Sequence, residues 1–275
     1  MVRAISAPRR VLLPIIGMAA FGLMACQDAS ETDGTQDPPS ATMTDPPAPE
    51  AMQEQATAVR IEVEDDLVDY TYAWSAEAAA IPAIDTSFRE QSDTALAELR
   101  RMAEDEAKFR SENGMEFGGL FGSTEWETAG QSERLLSLAG ETAAYTGGAH
   151  PNSGAIALLW DREANDEITI RTLFGSDRSR DGALRDGFCE KLKAEQMDRR
   201  GVELEGSFGQ CPGLEQIIIA PKDGDGDGLF ERILMTASPY VAGPYAEGSY
   251  EIELPVDAAI RNAIAEPFRA SFAAD

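Results

Sequence analysis

The chain has 275 residues, with 49 Asp and Glu against 23 Lys and Arg, a formal charge of −26. So acidic a chain repels a phosphate backbone, which excludes nucleic acid as a partner, while 43 % hydrophobic residues are enough for a core. His150 is the single histidine, so any metal site with two histidine ligands is excluded, and with it most zinc hydrolase designs.

Residues 1–10 carry Arg3, Arg9 and Arg10 and no acid, the charge pattern of a secretory n-region. The apolar run VLLPIIGMAAFGLMA, 11–25, is short for a membrane span of roughly 20 residues and suits the h-region of a signal. It ends Leu23-Met24-Ala25-Cys26, which resembles a bacterial lipobox. The resemblance implies a signal peptide over 1–25, cleavage before Cys26 and acylation of that cysteine. The membrane is then a partner through the lipid. Gln27 in place of Asp points to the outer membrane, with the protein facing the periplasm. An ordinary signal followed by a free thiol is the plainer alternative. Cleavage would remove three arginines and no acid, leaving 20 bases against 49 acids, or −29.

Residues 26–57 hold seven acids, five prolines, no base and no aromatic ring. Such a segment cannot bury enough apolar surface to offset its ordering entropy, so it reads as a disordered tether spanning about 30 Å.

The folded part begins near 58. Val59, Ile61 and Val63, then Val68, Tyr70, Tyr72 and Trp74, alternate as two β-strands. A helix is predicted over 85–110, with Leu96, Leu99 and Ala103 as its apolar stripe and Glu104–Lys108 or Glu106–Arg110 as pairs four apart. Strands follow near 123–128, 133–145, 154–161 and 167–171. A second helix over 180–197 places Leu184, Phe188 and Leu192 on one face. Strands return at 215–220, 229–237 and 250–254, before a terminal helix from about Val256. This grouping predicts an α+β fold: an antiparallel sheet, two main helices and a C-terminal helix. It leaves open two subdomains, 58–118 and 119–275, joined near 110–120.

Beyond Cys26, the pair Cys189 and Cys211 in an exported chain points to a disulfide closing a loop of about twenty residues. Two buried thiols are the alternative.

Three segments are candidates for chemistry. In Tyr145-Thr146-Gly147-Gly148-Ala149-His150, paired glycines permit a tight turn and the lone His could act as base or recognition donor; a plain turn between strands is the simpler reading. No G-x-S-x-G accompanies it. Asp223, Asp225 and Asp227 with Glu231 copy the first half of an EF-hand loop and could hold calcium. Leu234 stands where the bidentate Glu belongs, and Asp-Gly steps also build solvated hairpin loops. Finally Tyr240, Tyr245 and Tyr250, among Gly and Pro, either present rings to a glycan or protein or pack over an irregular turn.

The YTGGAHPN turn, the LF before the second long helix and PYVAGPYAEGSYEIELP together resemble the extracytoplasmic domain of the RsiV anti-sigma factor. The paired strands, IPAI and long helix before them resemble the small domain preceding the catalytic module of PdaC-type peptidoglycan deacetylases. The likeness spans roughly 60–272, with 58–118 PdaC-like and 119–275 RsiV-like. It implies a module that recognises a lysozyme-like muramidase. Anti-sigma activity does not carry over, because the chain shows no sigma-binding segment. Deacetylase chemistry does not either, because that module's metal takes two histidines. The leading expectation is therefore a non-catalytic, lipid-anchored binding module for a lysozyme-like protein or wall glycan. The alternatives are a peptidoglycan-modifying enzyme using His150 and a calcium-stabilised structural lipoprotein.

Overall fold

The structure, a computed structural model, describes residues 56–203 and 205–274. The signal-like run, Cys26 and nearly all of the tether lie outside these residues. Val59–Glu64 (β1) and Val68–Trp74 (β2) form the first hairpin, and Asp65 Oδ1 accepts the Leu67 and Val68 amides in its turn. After a short helix, Ala76–Ala79 (α1), Pro82–Glu112 (α2) extends the predicted helix at both ends; proline in the first turn lacks only an amide that would be unpaired there. Glu106 and Arg110 pair as expected, at 2.6 Å, while Arg89–Asp85 and Arg101–Asp105 are the other pairs four apart.

Leu120–Gln131 (β3), Leu135–Tyr145 (β4), Asn152–Asp161 (β5) and Asp166–Ile168 (β6) complete a six-stranded sheet in sequence order. All neighbours are antiparallel except β2 and β3, because α2 carries the chain back to the starting end of the sheet. Those two strands flank residue 118, so the first sheet draws on both halves expected from sequence. The strand expected over 167–171 stops at Ile168: Thr169 caps a short helix, Ile170–Phe174 (α3), its Oγ1 accepting the Thr172 amide at 3.1 Å.

Asp177–Arg200 (α4) runs from a Ser176 cap to Gly201 in the left-handed region. It buries Leu184, Phe188 and Leu192, as its spacing predicts. Ile218–Lys222 (β7), Arg232–Ala237 (β8) and Tyr250–Pro255 (β9) make a second, antiparallel sheet, followed by Ala258–Ala263 (α5). β8 begins later than the expected residue 229. The Phe230 amide donates to Ser271 and its carbonyl accepts from Ala273, so the C-terminal segment takes the ladder at that point.

Two apolar cores lie on opposite faces of β4. Leu136 and Leu138 face Tyr70, Tyr72, Trp74 and the α2 residues Ile84, Phe88 and Leu99. Leu135 faces the core of α4, α5 and the second sheet. The alternation is what a two-residue period demands of a strand buried on both sides. Each large side chain fully withdrawn from water there contributes about 1.5–3 kcal/mol. The sheets meet closely where Asp223 N donates to Ala129 O; a β-carbon on Gly130 would lie 2.5 Å from that nitrogen, which requires glycine at the β3 bulge.

Candidate recognition surface

The β4–β5 turn and the β8–β9 connection are far apart in sequence but meet on the surface. Ser238, just past β8, accepts the Ala155 amide of β5 on its Oγ at 2.9 Å, tying the second sheet to the first. Val241 N then donates to Ser238 O, and Tyr240 N to Gly243 O, closing a tight turn. This turn forces Tyr240 to φ 71°, the left-handed region, where a side chain of its size is strained. The residue is 55 % exposed.

Tyr240, Tyr245 and His150 form one aromatic cluster. The imidazole stacks on Tyr245 with centroids 4.1 Å apart, and Tyr240 tilts against Tyr245 at 5.8 Å. His150 Nδ1 lies 2.8 Å from Pro151 O; a carbonyl only accepts, so in the neutral ring Nδ1 carries the proton. Nε2 is then the acceptor for the Tyr240 hydroxyl at 3.4 Å. The histidine thus faces a phenol and a backbone carbonyl. A general base oriented by a carboxylate would place an acid on Nδ1, and a carbonyl occupies that position. The arrangement offers flat rings, one hydroxyl and one imidazole, which suits recognition.

The other residues of these segments go elsewhere. Tyr145 stacks on Phe121 at 6.3 Å and lines an acidic cleft of about 850 Å³ with Glu64, Asp66 and Asp69. Gly147 takes φ 94° and lies over Glu106, and Thr146 and Gly148 are exposed in the turn. Tyr250 is fully buried, so it is not a presented ring. Its hydroxyl donates to Glu247, and burial first, then Glu247, pushes the phenol above the ordinary tyrosine value.

Residues that the sequence reading passed over hold the surface in place. Gln196 at the end of α4 donates to Ala242 O at 2.7 Å. Arg199 Nη1 reaches Glu247 O and Ser249 O, and its guanidinium lies 4.1 Å above the Tyr250 ring. Arg200, 8 % exposed, donates to Glu247 at 2.9 Å and to the Tyr250 hydroxyl at 3.3 Å. The only sequence sign is two arginines in the last turn of a helix, where cations already favour the dipole.

Cys189 and Cys211 are bonded, with Cα atoms 5.5 Å apart. The bond pins the 206–216 segment to α4 and, closing a 22-residue separation, is worth about 3 kcal/mol in the chain-entropy view. Asp223, Asp225 and Asp227 each bring one oxygen within 4.8 Å of the others. They sit between β7 and β8, so strands, not the paired helices of an EF-hand, flank the loop. Their oxygens accept amides of the loop itself: Asp223 from Gly226 and Gly228, Asp225 from Asp227, Asp227 from Leu229. Glu231 Oε1 accepts the Gly224 amide at 2.6 Å.

A family model described as deacetylase PdaC matches residues 61–153, which covers β1 to the start of β5 and includes the turn with His150. The chain is similar in fold to a DUF3298 family protein from Pseudomonas aeruginosa PAO1, with a TM-score of 0.50 at 16 % identity over 80 % of this chain and 98 % of that one. A DUF3298 family member from Bacteroides fragilis NCTC 9343 gives a TM-score of 0.45 at 16 % identity, over 78 % and 96 %. No curated protein matches the sequence. Among the described residues no helix is long and apolar enough to cross a membrane. The chain thus contains a PdaC-like region within a fold similar to that of a DUF3298 family protein.

Proposed function

We propose that this chain is a non-catalytic recognition module, exported and held at the outer membrane by a lipid on Cys26, that binds a lysozyme-like muramidase through the Tyr240–Tyr245–His150 cluster. The observation that carries the reading is the strained Tyr240, which holds an aromatic ring at the surface in contact with two others. Backbone strain of this kind costs of order 1–3 kcal/mol and persists where the surroundings enforce it. Aromatic rings with a polar edge are also the side chains that most often dominate an interface.

Charge supports a basic partner. Residues 58–275 hold 42 acids and 20 bases, a formal −22, which attracts a cationic protein and speeds encounter at low salt. The resemblance to the RsiV extracytoplasmic domain points the same way.

Titration of lysozyme into residues 56–275 tests the binding reading. Saturable binding at low ionic strength is expected, weakening as salt rises, and Tyr245→Ala with His150→Ala weakens it by about 30-fold at constant salt. Absence of binding to lysozyme at low salt overturns the muramidase reading, and binding to purified wall glycan alone replaces it. The anchor is tested separately: the full chain partitions with membranes and Cys26→Ser does not.

A further inference from the structure

The first sheet packs α2 on one face; on the other, the rows nearest β1 reach solvent. Strand register sets what those rows contain. Glu64, Asp69, Phe121 and Tyr145 stand opposite one another across β1 to β4, so all four project from the same side. They line the acidic cleft of about 850 Å³. The two rings are half-buried and stack at 6.3 Å, which puts a carboxylate pair beside an aromatic pair.

Two rows of this face carry opposed acids, and the chain treats them differently. Glu125 and Glu141 face each other on β3 and β4, and Arg60, in the same row, bonds to Glu125 at 2.9 Å. Glu64 and Asp69 are equally opposed on β1 and β2, with no such arginine in their row. Elsewhere in the cleft, Asp65 takes Arg100 at 2.7 Å and Glu106 takes Arg110 at 2.6 Å. Glu64, Asp66 and Asp69 are left without a cation among the described residues. Like charges directly opposite on paired strands repel, so this row lacks the counter-charge that its neighbour has.

The rim favours a macromolecule. Phe109, beside the lining Arg110, is 54 % exposed, and Met115, two residues before the lining Phe117, is 45 % exposed. Met115 is held near α2, its amide donating to Arg110 O at 2.8 Å. Large apolar side chains exposed beside a polar cleft mark protein contact sites.

We propose that this cleft docks a basic protein and receives one of its arginine side chains, the guanidinium lying against Phe121 and Tyr145 and donating to Glu64 and Asp69. Guanidinium combines both contacts, because it is planar, stacks on rings and presents a fork of donors to carboxylates. The three unneutralised acids also attract a cationic partner from a distance. This surface is separate from the Tyr240–Tyr245–His150 cluster, and the proposal stands whether or not lysozyme binds there.

Acetyl-Gly-Arg-Gly-amide is the probe, titrated into the protein at low salt and followed by NMR shifts of the Phe121 and Tyr145 ring protons. Saturation with a dissociation constant of about 1 mM is expected. The lysine peptide binds about fivefold more weakly, because an ammonium stacks less well. The citrulline peptide keeps the shape without the charge and gives no saturation up to about 10 mM. Glu64→Gln with Asp69→Asn weakens the arginine peptide about tenfold. Both positions are exposed and the change removes a like-charge pair, so the thermal midpoint does not fall. No saturation with the arginine peptide overturns the proposal. Equal response to arginine and citrulline overturns it too, since the cleft is then only an apolar recess. Equal affinity for arginine and lysine does the same, because the rings then take no part, as does binding that the double variant leaves unchanged.

Discussion

The two connections of the second sheet solve the same problem in opposite ways. Between its ends, where Asp223 N meets Ala129 O and Phe230 meets the C-terminal segment, the β7–β8 loop holds itself: its aspartates accept its own amides, and its left-handed positions, at φ 77° and 87°, fall on Gly226 and Gly228. The β8–β9 connection is held from outside, by Gln196, Arg199 and Arg200 of α4 and by the Ser238–Ala155 bond. Its left-handed positions include Gly248, but a further one falls on Tyr240. Glycine there would be free of the strain. A connection that tolerates strain while a neighbouring loop avoids it is one whose conformation matters beyond joining two strands. The lesson is that the acidic loop, which looks more like a site in sequence, is the self-contained one.

This contrast is broken most strongly by removing the external support. Arg200→Ala leaves Glu247 a largely buried carboxylate without its cation and takes a partner from Tyr250. Urea unfolding is expected to show a loss of about 3 kcal/mol, in the range for breaking a buried pair from one side. Lysozyme binding falls with it, because the connection carrying Tyr240 and Tyr245 loses its anchor. A stability within 1 kcal/mol of the parent, roughly the figure for an exposed pair, would show that the clamp is ornamental.

The same treatment of the self-contained loop has a smaller and purely local effect. Asp223→Ala removes the acceptor of the Gly226 and Gly228 amides, at 2.7 and 3.1 Å. The loop is exposed and water replaces part of the loss, so about 1 kcal/mol is expected. Lysozyme affinity stays unchanged. A change in affinity as large as that of Arg200→Ala would abolish the distinction between the two loops.

Much of the frame was legible because it follows from local period. The α4 stripe Leu184, Phe188 and Leu192 and the β2 alternation Val68, Tyr70, Tyr72 and Trp74 both read straight off the sequence and are buried as read. The cysteine pair was legible too, since in a chain read as exported the two remaining thiols leave one partner each. What escaped depends on long-range placement. Nothing near Ser238 announces Ala155, 83 residues away, as its partner. Tyr250 sits in the same pattern as Tyr240 and Tyr245, yet as the first residue of β9 it turns into the core, while the strained turn aims Tyr240 outward. The parallel β2–β3 pairing was equally hidden, because hydrophobic alternation is the same for both strand directions.

The finest distinction separates the strain at Tyr240 from its ring. Tyr240→Ala and Tyr240→Gly remove the same ring, so they lose the same contacts with Tyr245 and His150 and are expected to weaken lysozyme binding equally, by about tenfold or more. They differ in backbone. Alanine still carries a β-carbon at φ 71°, whereas glycine occupies that region freely. The glycine variant is therefore expected to be more stable than the alanine variant by about 1 kcal/mol, although glycine also loosens the unfolded chain and opposes part of the gain. The reverse order in thermal unfolding would mean that the turn relaxes once the ring is gone, and that the ring itself, not the clamp from α4, holds the left-handed backbone. Equal stability with unequal affinity would place the recognition element in the backbone of the turn. The expected result, unequal stability with equal affinity, assigns the strain to α4 and the contact to the ring, which is the division of labour that the two loops of the second sheet display.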